Sequence, residues 1–213
     1  VLSKASNNFT AKHWEAAKRV VRYLAGVPDI GLHYRGQPGK DPGDELELIG
    51  YADADFGLAT RDSKSRTGYV ILMAGGPILW YSKKQTIVAS STTYAEYVAL
   101  HTLGEKLLCL KDLLEDIGFK VKPPITVFQD NQSTVRMSEA PSLTPRAQHI
   151  RLKYHAIRDW IKQGEVGLKW ISTELQLADM FTKNLTQAEF SRQRDRVMRS
   201  EERRVGKECR SRW

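Results

Sequence analysis

The chain has 213 residues, 41% of them hydrophobic and 27% charged, which suits one domain of ordinary size with appendages. No apolar run is long enough to span a bilayer and no basic-then-apolar leader opens the sequence, so a membrane is not an expected partner. Two cysteines, Cys109 and Cys209, exclude a disulfide framework or a four-thiolate zinc site, and 33 basic against 25 acidic residues give +8, compatible with a polyanionic partner.

The first residue is Val1 rather than Met, so the sequence reads as a piece of something longer, and its few cysteines suit a reducing compartment. From Thr10 to Gly26, Trp14, Ala17, Val20, Val21 and Leu24 recur at helical spacing, with Thr10 and Gly26 as caps. Residues 35–44, RGQPGKDPGD, hold two prolines and three glycines and read as a boundary. Three strands are predicted next: LELIGYADA (46–54), TGYVILMAG (67–75) and PILWYSK (77–83), the last two joined as a hairpin by a Gly-Gly-Pro turn.

A long helix is predicted over 92–117, with an apolar stripe of Ala95, Val98, Ala99, Leu103, Leu107, Leu110, Leu113 and Leu114, closed by Gly118. Pro123 and Pro124 introduce a strand, ITVFQD (125–130), and a polar loop (138–145) leads to a second helix over 147–163, closed by Gly164. VGLKWIS (166–172) is the last strand, followed by a short helix over 177–185 and another from Gln187. This order implies a mixed α+β (α/β) architecture, a mixed sheet covered by helices on both faces. Trp80, Trp160 and Trp170 fall in strand or helix patterns and are predicted core residues, while His13, His33 and His101 are read as surface or packing residues.

Residues 199–213, RSEERRVGKECRSRW, lack apolar periodicity and resemble the translation of a sequencing-library adapter. They are read as an assembly artefact, against the alternative of a basic disordered tail. Without their six basic and three acidic residues the net charge falls from +8 to +5, and Cys209 and Trp213 carry no weight.

Four places put a carboxylate where an element can aim it at one sheet edge: Asp53 in YADAD, Glu96 in STTYAEY, Asp130 in ITVFQD and Asp179 in QLADMF. Asp55, two residues after Asp53, points to the same face. Converging carboxylates repel unless hard divalent cations join them, and oxygen-only ligation suits Mg²⁺ or Mn²⁺ rather than zinc. Two such ions activate a water and stabilise a leaving 3′-oxygen in phosphodiester hydrolysis. Each acid also has a plainer reading: Asp53 and Asp55 as turn residues, Asp130 and Asp179 as helix caps, Glu96 as a favourable charge at a helix N-terminus. Residues scattered over 126 positions make no local motif.

The words around these acids are more specific. GYADADFG (50–57), SKSRTGYV (63–70), WYSKKQTIVASSTTYAEYVAL (80–100), QDNQSTV (129–135), HIRLKYHAIRDW (149–160) and ADMFTKNL (178–185) occur in this order. Segment by segment they resemble the RNase H domain of copia-type retrotransposon Pol polyproteins, from about Glu45 to about Phe190. HWEAAKRVVRYLAGVPDIGLHY (13–34) is similar to the segment joining the reverse transcriptase thumb to RNase H. The domains implied are 1–44 as the end of the reverse transcriptase region, 45–190 as an RNase H-like domain and 191–213 as a tail.

The resemblance implies an RNase H-like fold with a five-stranded mixed sheet flanked by helices. It also implies an endoribonuclease that cuts the RNA strand of RNA/DNA hybrids during reverse transcription with two Mg²⁺ ions, Mn²⁺ substituting. The implied catalytic and metal-holding residues are Asp53, Glu96, Asp130 and Asp179; Asp55 also fits the family pattern, and Asp53 is preferred for its YAD context. The implied partners are the hybrid and the reverse transcriptase domain of the same polyprotein, at work in a cytoplasmic virus-like particle or in the nucleus. The competing class is a catalytically inactive nucleic-acid-binding remnant. An integrase-like recombinase needs a different acid pattern and a zinc-binding arm, which neither the cysteines nor the order of segments supports.

A hybrid is recognised largely by groove shape, 2′-hydroxyls and phosphates. Candidate contacts are Lys83, Lys84, Ser91, Thr92, Asn131 and Gln132, with a basic cluster of Arg146, His149, Arg151 and Lys153. The lysines read equally as a solvated sheet edge. His149 and His155 lack thiolate partners at metal-ligand spacing. Two departures from the family stand out: WISTELQLAD offers Thr173 and Glu174 where many RNases H carry a mobile His, and Gln148 replaces a usual basic neighbour of His149.

Overall fold

The computed structural model describes residues 7–34, 45–57, 63–140 and 151–200. The boundary stretch 35–44, the predicted contacts Arg146 and His149, Gln148, and 201–213 of the suspected adapter segment lie outside the described residues. The chain divides into two units, Val1–Gly31 with Arg199–Trp213, and Leu32–Met198.

In the first unit, helix α1 spans Ala11–Ala25, starting after Thr10, whose backbone N–H donates to His13 Nδ1, and closing at Gly26 as predicted. None of its residues is buried, and Trp14, Val20, Val21 and Leu24 are all exposed. Strand β1 (Ile30–Gly31) pairs antiparallel with β7 (Arg199–Ser200).

The second unit holds the five-stranded sheet that the sequence implied. Its strands are β2 (Leu48–Asp55), β3 (Arg66–Met73), β4 (Gly76–Lys84), β5 (Ile125–Gln129) and β6 (Val166–Trp170). The order is β4-β3-β2-β5-β6, with β2, β3 and β4 antiparallel and β2, β5 and β6 parallel. The helices are α2 (Thr92–Asp116), α3 (Gln132–Glu139), α4 (Arg151–Lys162) and α5 (Gln187–Val197).

Alternation along β2 sends its residues to two different environments. Leu48, Ala52 and Ala54 join Tyr69, Ile71, Val127 and the α2 stripe of Ala95, Ala99, Leu103 and Leu107 in the main core. On the opposite face Tyr51 meets Val70, Leu72, Leu177, Phe181 and Val197 in a smaller cluster. The smaller cluster requires a glycine at position 68 of β3. A Cβ there would lie 2.5 Å from Thr182 Cγ2, 3.0 Å from Phe181 Cβ and 3.1 Å from the Ala178 carbonyl oxygen. Only a residue without a side chain lets the segment 177–182 sit this close to the sheet.

Several details differ from the sequence expectations. Trp80 and Trp170 are 53% and 51% exposed, not core, because β4 and β6 are the sheet's two edges; Trp160 does pack on the core, while Leu113 of the predicted stripe is exposed. The segment predicted as one short helix over 177–185 holds a 3₁₀ turn, Leu177–Phe181, preceded by another over Thr173–Leu175. Helix α3 follows Asp130, where the cap reading places a helix, but at two turns it is too short for a period that would fix its bounds. Gly118 and Gly164, both with positive φ, close α2 and α4 as expected.

Candidate metal centre

Asp53 leaves β2 on the face away from α2 and is 0% exposed. Glu96 lies in the second turn of α2, whose start is fixed by Ser91 accepting from the Tyr94 N–H. Asp130 immediately follows β5, the parallel neighbour of β2. Three elements thus deliver one carboxylate each to the sheet edge, and their oxygens all lie within 4.8 Å of one another. Asp55, the last residue of β2, is exposed and outside this group, so the geometry separates the two aspartates of the DAD sequence.

The buried Gln129 sets the geometry between two of these acids. Its Nε2 donates to Glu96 Oε2 at 3.3 Å, while its Oε1 accepts the backbone N–H groups of Asp130 (2.8 Å) and Asn131 (3.2 Å). Thr173 Oγ1 donates to Asp130 Oδ2 at 3.0 Å, and the Trp170 indole N–H donates to the Asp130 carbonyl, also at 3.0 Å. The cap of α3 is Asn131, which accepts from the Thr134 N–H; Asp130 is not a cap.

Asp179 stands apart from the three. It lies inside the second 3₁₀ turn, buried, and the cap there is Gln176 rather than Asp179. Gln176, itself fully buried, ties the turn to the sheet by donating from Nε2 to the Ala52 carbonyl at 2.9 Å. Asp179 meets Asp53 through Lys183, whose Nζ lies 2.7 Å from Asp179 Oδ1 and 3.1 Å from Asp53 Oδ1. Thr182 Oγ1 donates to the other oxygen of Asp53.

Crowding shows in the titration of these groups. Burial first, and then the charges of Asp53 and Asp130, hold Glu96 well above the usual carboxylate range, against Lys183 and the Gln129 hydrogen bond. Burial, with Asp53, also raises Asp130. Asp179 is pushed up to about 6 by burial and then by Asp53, with Lys183 opposing. Burial works against the Lys183 ammonium, but Asp53 and Asp179 outweigh it and its pKa is raised. Burial and mutual repulsion disfavour the charged forms of Glu96, Asp130 and Asp179, and a nearby divalent cation would oppose that effect. The group is all oxygen and hard, so it fits Mg²⁺ or Mn²⁺.

The predicted nucleic-acid contacts that lie among the described residues differ in exposure. Lys83, Thr92, Gln132 and Arg151 are exposed, while Lys84 and Asn131 are half-buried. The Ser91 and Asn131 side chains are engaged as helix caps. Lys153 is half-buried, with Nζ 3.5 Å from Nδ1 of His101, a buried residue against Trp160. Sequence reasoning missed Gln129, Thr182 and Lys183 as site residues. A signal for Lys183 was present, a lysine four residues after an aspartate in a helical segment.

The strand order, the strand directions and the carboxylates gathered at one edge define an RNase H-like domain. No family model matches the chain. It is 36% identical over 189 residues to the retrovirus-related Pol polyprotein from transposon RE2 of Arabidopsis thaliana, covering 89% of this chain and 13% of that polyprotein. It is 37% identical over 190 residues to the one from transposon TNT 1-94 of Nicotiana tabacum, covering 89% and 14%. The chain therefore spans about an eighth to a seventh of the length of these relatives. Among solved structures, LC11-RNase H1, isolated from compost by a metagenomic approach, is 21% identical, with 64% of this chain on 92% of that one at a TM-score of 0.49. Over most of its length the chain is thus homologous to one part of the retrovirus-related Pol polyproteins of plant transposons.

Proposed function

We propose that residues 45–198 form the ribonuclease H of a copia-type Pol polyprotein, which hydrolyses the RNA strand of RNA/DNA hybrids during reverse transcription. The observation that carries this reading is the meeting of Asp53 and Asp130, from the neighbouring parallel strands β2 and β5, with Glu96 of α2, all within 4.8 Å. Such a group has a steep electrostatic cost in a metal-free fold, which divalent cations would relieve.

Asp53, Glu96, Asp130 and Asp179 would hold a pair of Mg²⁺ ions. Those ions supply activation of the attacking water and stabilisation of charge on the leaving 3′-oxygen. The chain's own residues supply the geometry. Gln129 fixes Glu96 against the start of the Asp130 segment, and Thr173 orients the Asp130 carboxylate from the loop where the expected His is missing. The exposed Lys83, Thr92, Gln132 and Arg151 are the groups available to phosphates and 2′-hydroxyls, which identify a hybrid by shape and backbone rather than base sequence. The exposed apolar residues of α1 favour the reverse transcriptase part of the same polyprotein as a further partner.

The test is cleavage of a labelled RNA/DNA hybrid by the 213-residue chain with Mg²⁺. Nicking of the RNA strand, abolished in Asp130→Asn, is the expected result. Cleavage that survives in Asp130→Asn removes the metal-site assignment. Hybrid binding with no Mg²⁺-dependent cleavage supports the inactive remnant instead.

A further inference from the structure

The carboxylate site contains a cation of the protein's own. We propose that Lys183 is a built-in counter-ion that holds the space between Asp53 and Asp179 and must leave it before a divalent cation enters. The inference rests on the metal-site reading above and adds a residue that this reading does not use.

The placement is specific. Lys183 Nζ bridges two carboxylates from different elements, Asp53 on β2 and Asp179 on the 3₁₀ turn, at 3.1 and 2.7 Å. Its partners are almost wholly buried, at 0% and 6% side-chain exposure, whereas the lysine side chain is 35% exposed. A stem reaching in from the surface enters and leaves without breaching the core, and a four-carbon chain is flexible enough to do so. The backbone need not follow, because the Lys183 N–H donates to the Asp179 carbonyl at 2.9 Å and Thr182 stays anchored on Asp53.

Two cation positions therefore differ in kind. One lies among the oxygens of Asp53, Glu96 and Asp130, of which Lys183 pairs with Asp53 and reaches the other two through its charge at longer range. The other, between Asp53 and Asp179, is already neutralised. A divalent ion is repelled from the second position by the ammonium and gains it only from the fraction of molecules in which Lys183 has swung out, which weakens its apparent affinity by that fraction. Filling of the site becomes ordered, and Lys183 sets the Mg²⁺ concentration at which the second position fills.

The experiment is Mg²⁺ titration of the full 213-residue chain by calorimetry, without nucleic acid, in the wild type, Lys183→Met and Lys183→Arg. The weaker Mg²⁺-binding event should tighten in Lys183→Met, by about tenfold if Lys183 occupies the site nine-tenths of the time, and Lys183→Arg should bind like the wild type. Loss of a merely structural contact would weaken binding, so tightening separates the two roles. Unchanged or weaker binding in Lys183→Met overturns the proposal. If that variant does not fold, the wild type decides: the Lys183 side-chain resonance should shift from an ion-paired to a solvated ammonium as the weaker event saturates, and an unmoved resonance overturns the proposal. Absence of any Mg²⁺ binding to the wild type overturns the carboxylate-site reading itself and the competition with it. Binding to the wild type without tightening in Lys183→Met removes the role of Lys183 alone.

Discussion

Asp53, Glu96 and Asp130 reach the site by a different route from Asp179. The first three belong to or immediately follow long regular elements, a strand, a helix and a parallel strand, whose backbone hydrogen bonds fix where each Cα sits. Asp179 rides on a 3₁₀ turn that side chains hold in place: Gln176 on the Ala52 carbonyl, Thr182 and Lys183 on Asp53, and the missing Cβ of Gly68 beneath them. A backbone ladder distributes its strength over many bonds. A turn pinned by side chains rests on a few contacts, of which Gln176 and Thr182 remain when the Lys183 ammonium moves.

Asp53 is the residue that the two halves share, so Asp53→Asn should have the largest effect. Its expected cost is a loss of about 10³-fold or more in single-turnover hybrid cleavage, since both proposed cation positions would depend on it. Asp179→Asn touches one half only and should cost less than Asp53→Asn in the same assay. Equal losses in the two variants would erase the distinction between the halves.

Gly68→Ala should act on the pinned half without touching a carboxylate. The added Cβ must displace Thr182, Phe181 or the Ala178 carbonyl, and overpacking of this kind costs about 1–3 kcal/mol, read from urea unfolding. Full stability in Gly68→Ala would show the 3₁₀ segment to be free to move off the sheet.

The smallest effect is one of pH. Asp179 titrates near 6 when folded, above its value of 3.8 as an ordinary carboxyl, so the folded chain binds more protons than the unfolded one between those values. Its contribution to stability is therefore greatest below pH 4 and is lost as pH rises through about 6. Melting of the metal-free protein at a series of pH values should show this downward slope, and Asp179→Asn should flatten it. Saturating Mg²⁺ should remove it as well, by taking the place of the proton. A slope unchanged in Asp179→Asn would assign it to other groups.

The same contrast decides what was legible in the sequence. Period-2 and period-3.6 patterns locate β2 to β6 and α2 within a few residues, because a half-buried strand or helix must alternate its apolar side chains. Those patterns do not say which strands lie at an edge, and so Trp80 and Trp170 read as core when they are half exposed. The acids were legible only through the words surrounding them, since a site assembled by tertiary contact over 126 positions leaves no spacing to read. Asp53 could be preferred over Asp55 by context; only the fold places one in the cluster and the other in solvent. Lys183 and Thr182 lay within the quoted word ADMFTKNL, yet their contacts with Asp53 cross about 130 residues of sequence and belong to no local pattern.

Trp170 gives this site an optical signal. Its half-exposed indole donates to the carbonyl of the residue whose carboxylate belongs to the candidate metal group, and indole emission responds to nearby charge and to the strength of that hydrogen bond. Arrival of a cation at Asp130 should therefore register as a change in tryptophan fluorescence that Trp170→Phe removes. Occupancy of the site then becomes measurable in the unlabelled protein, before any substrate is added.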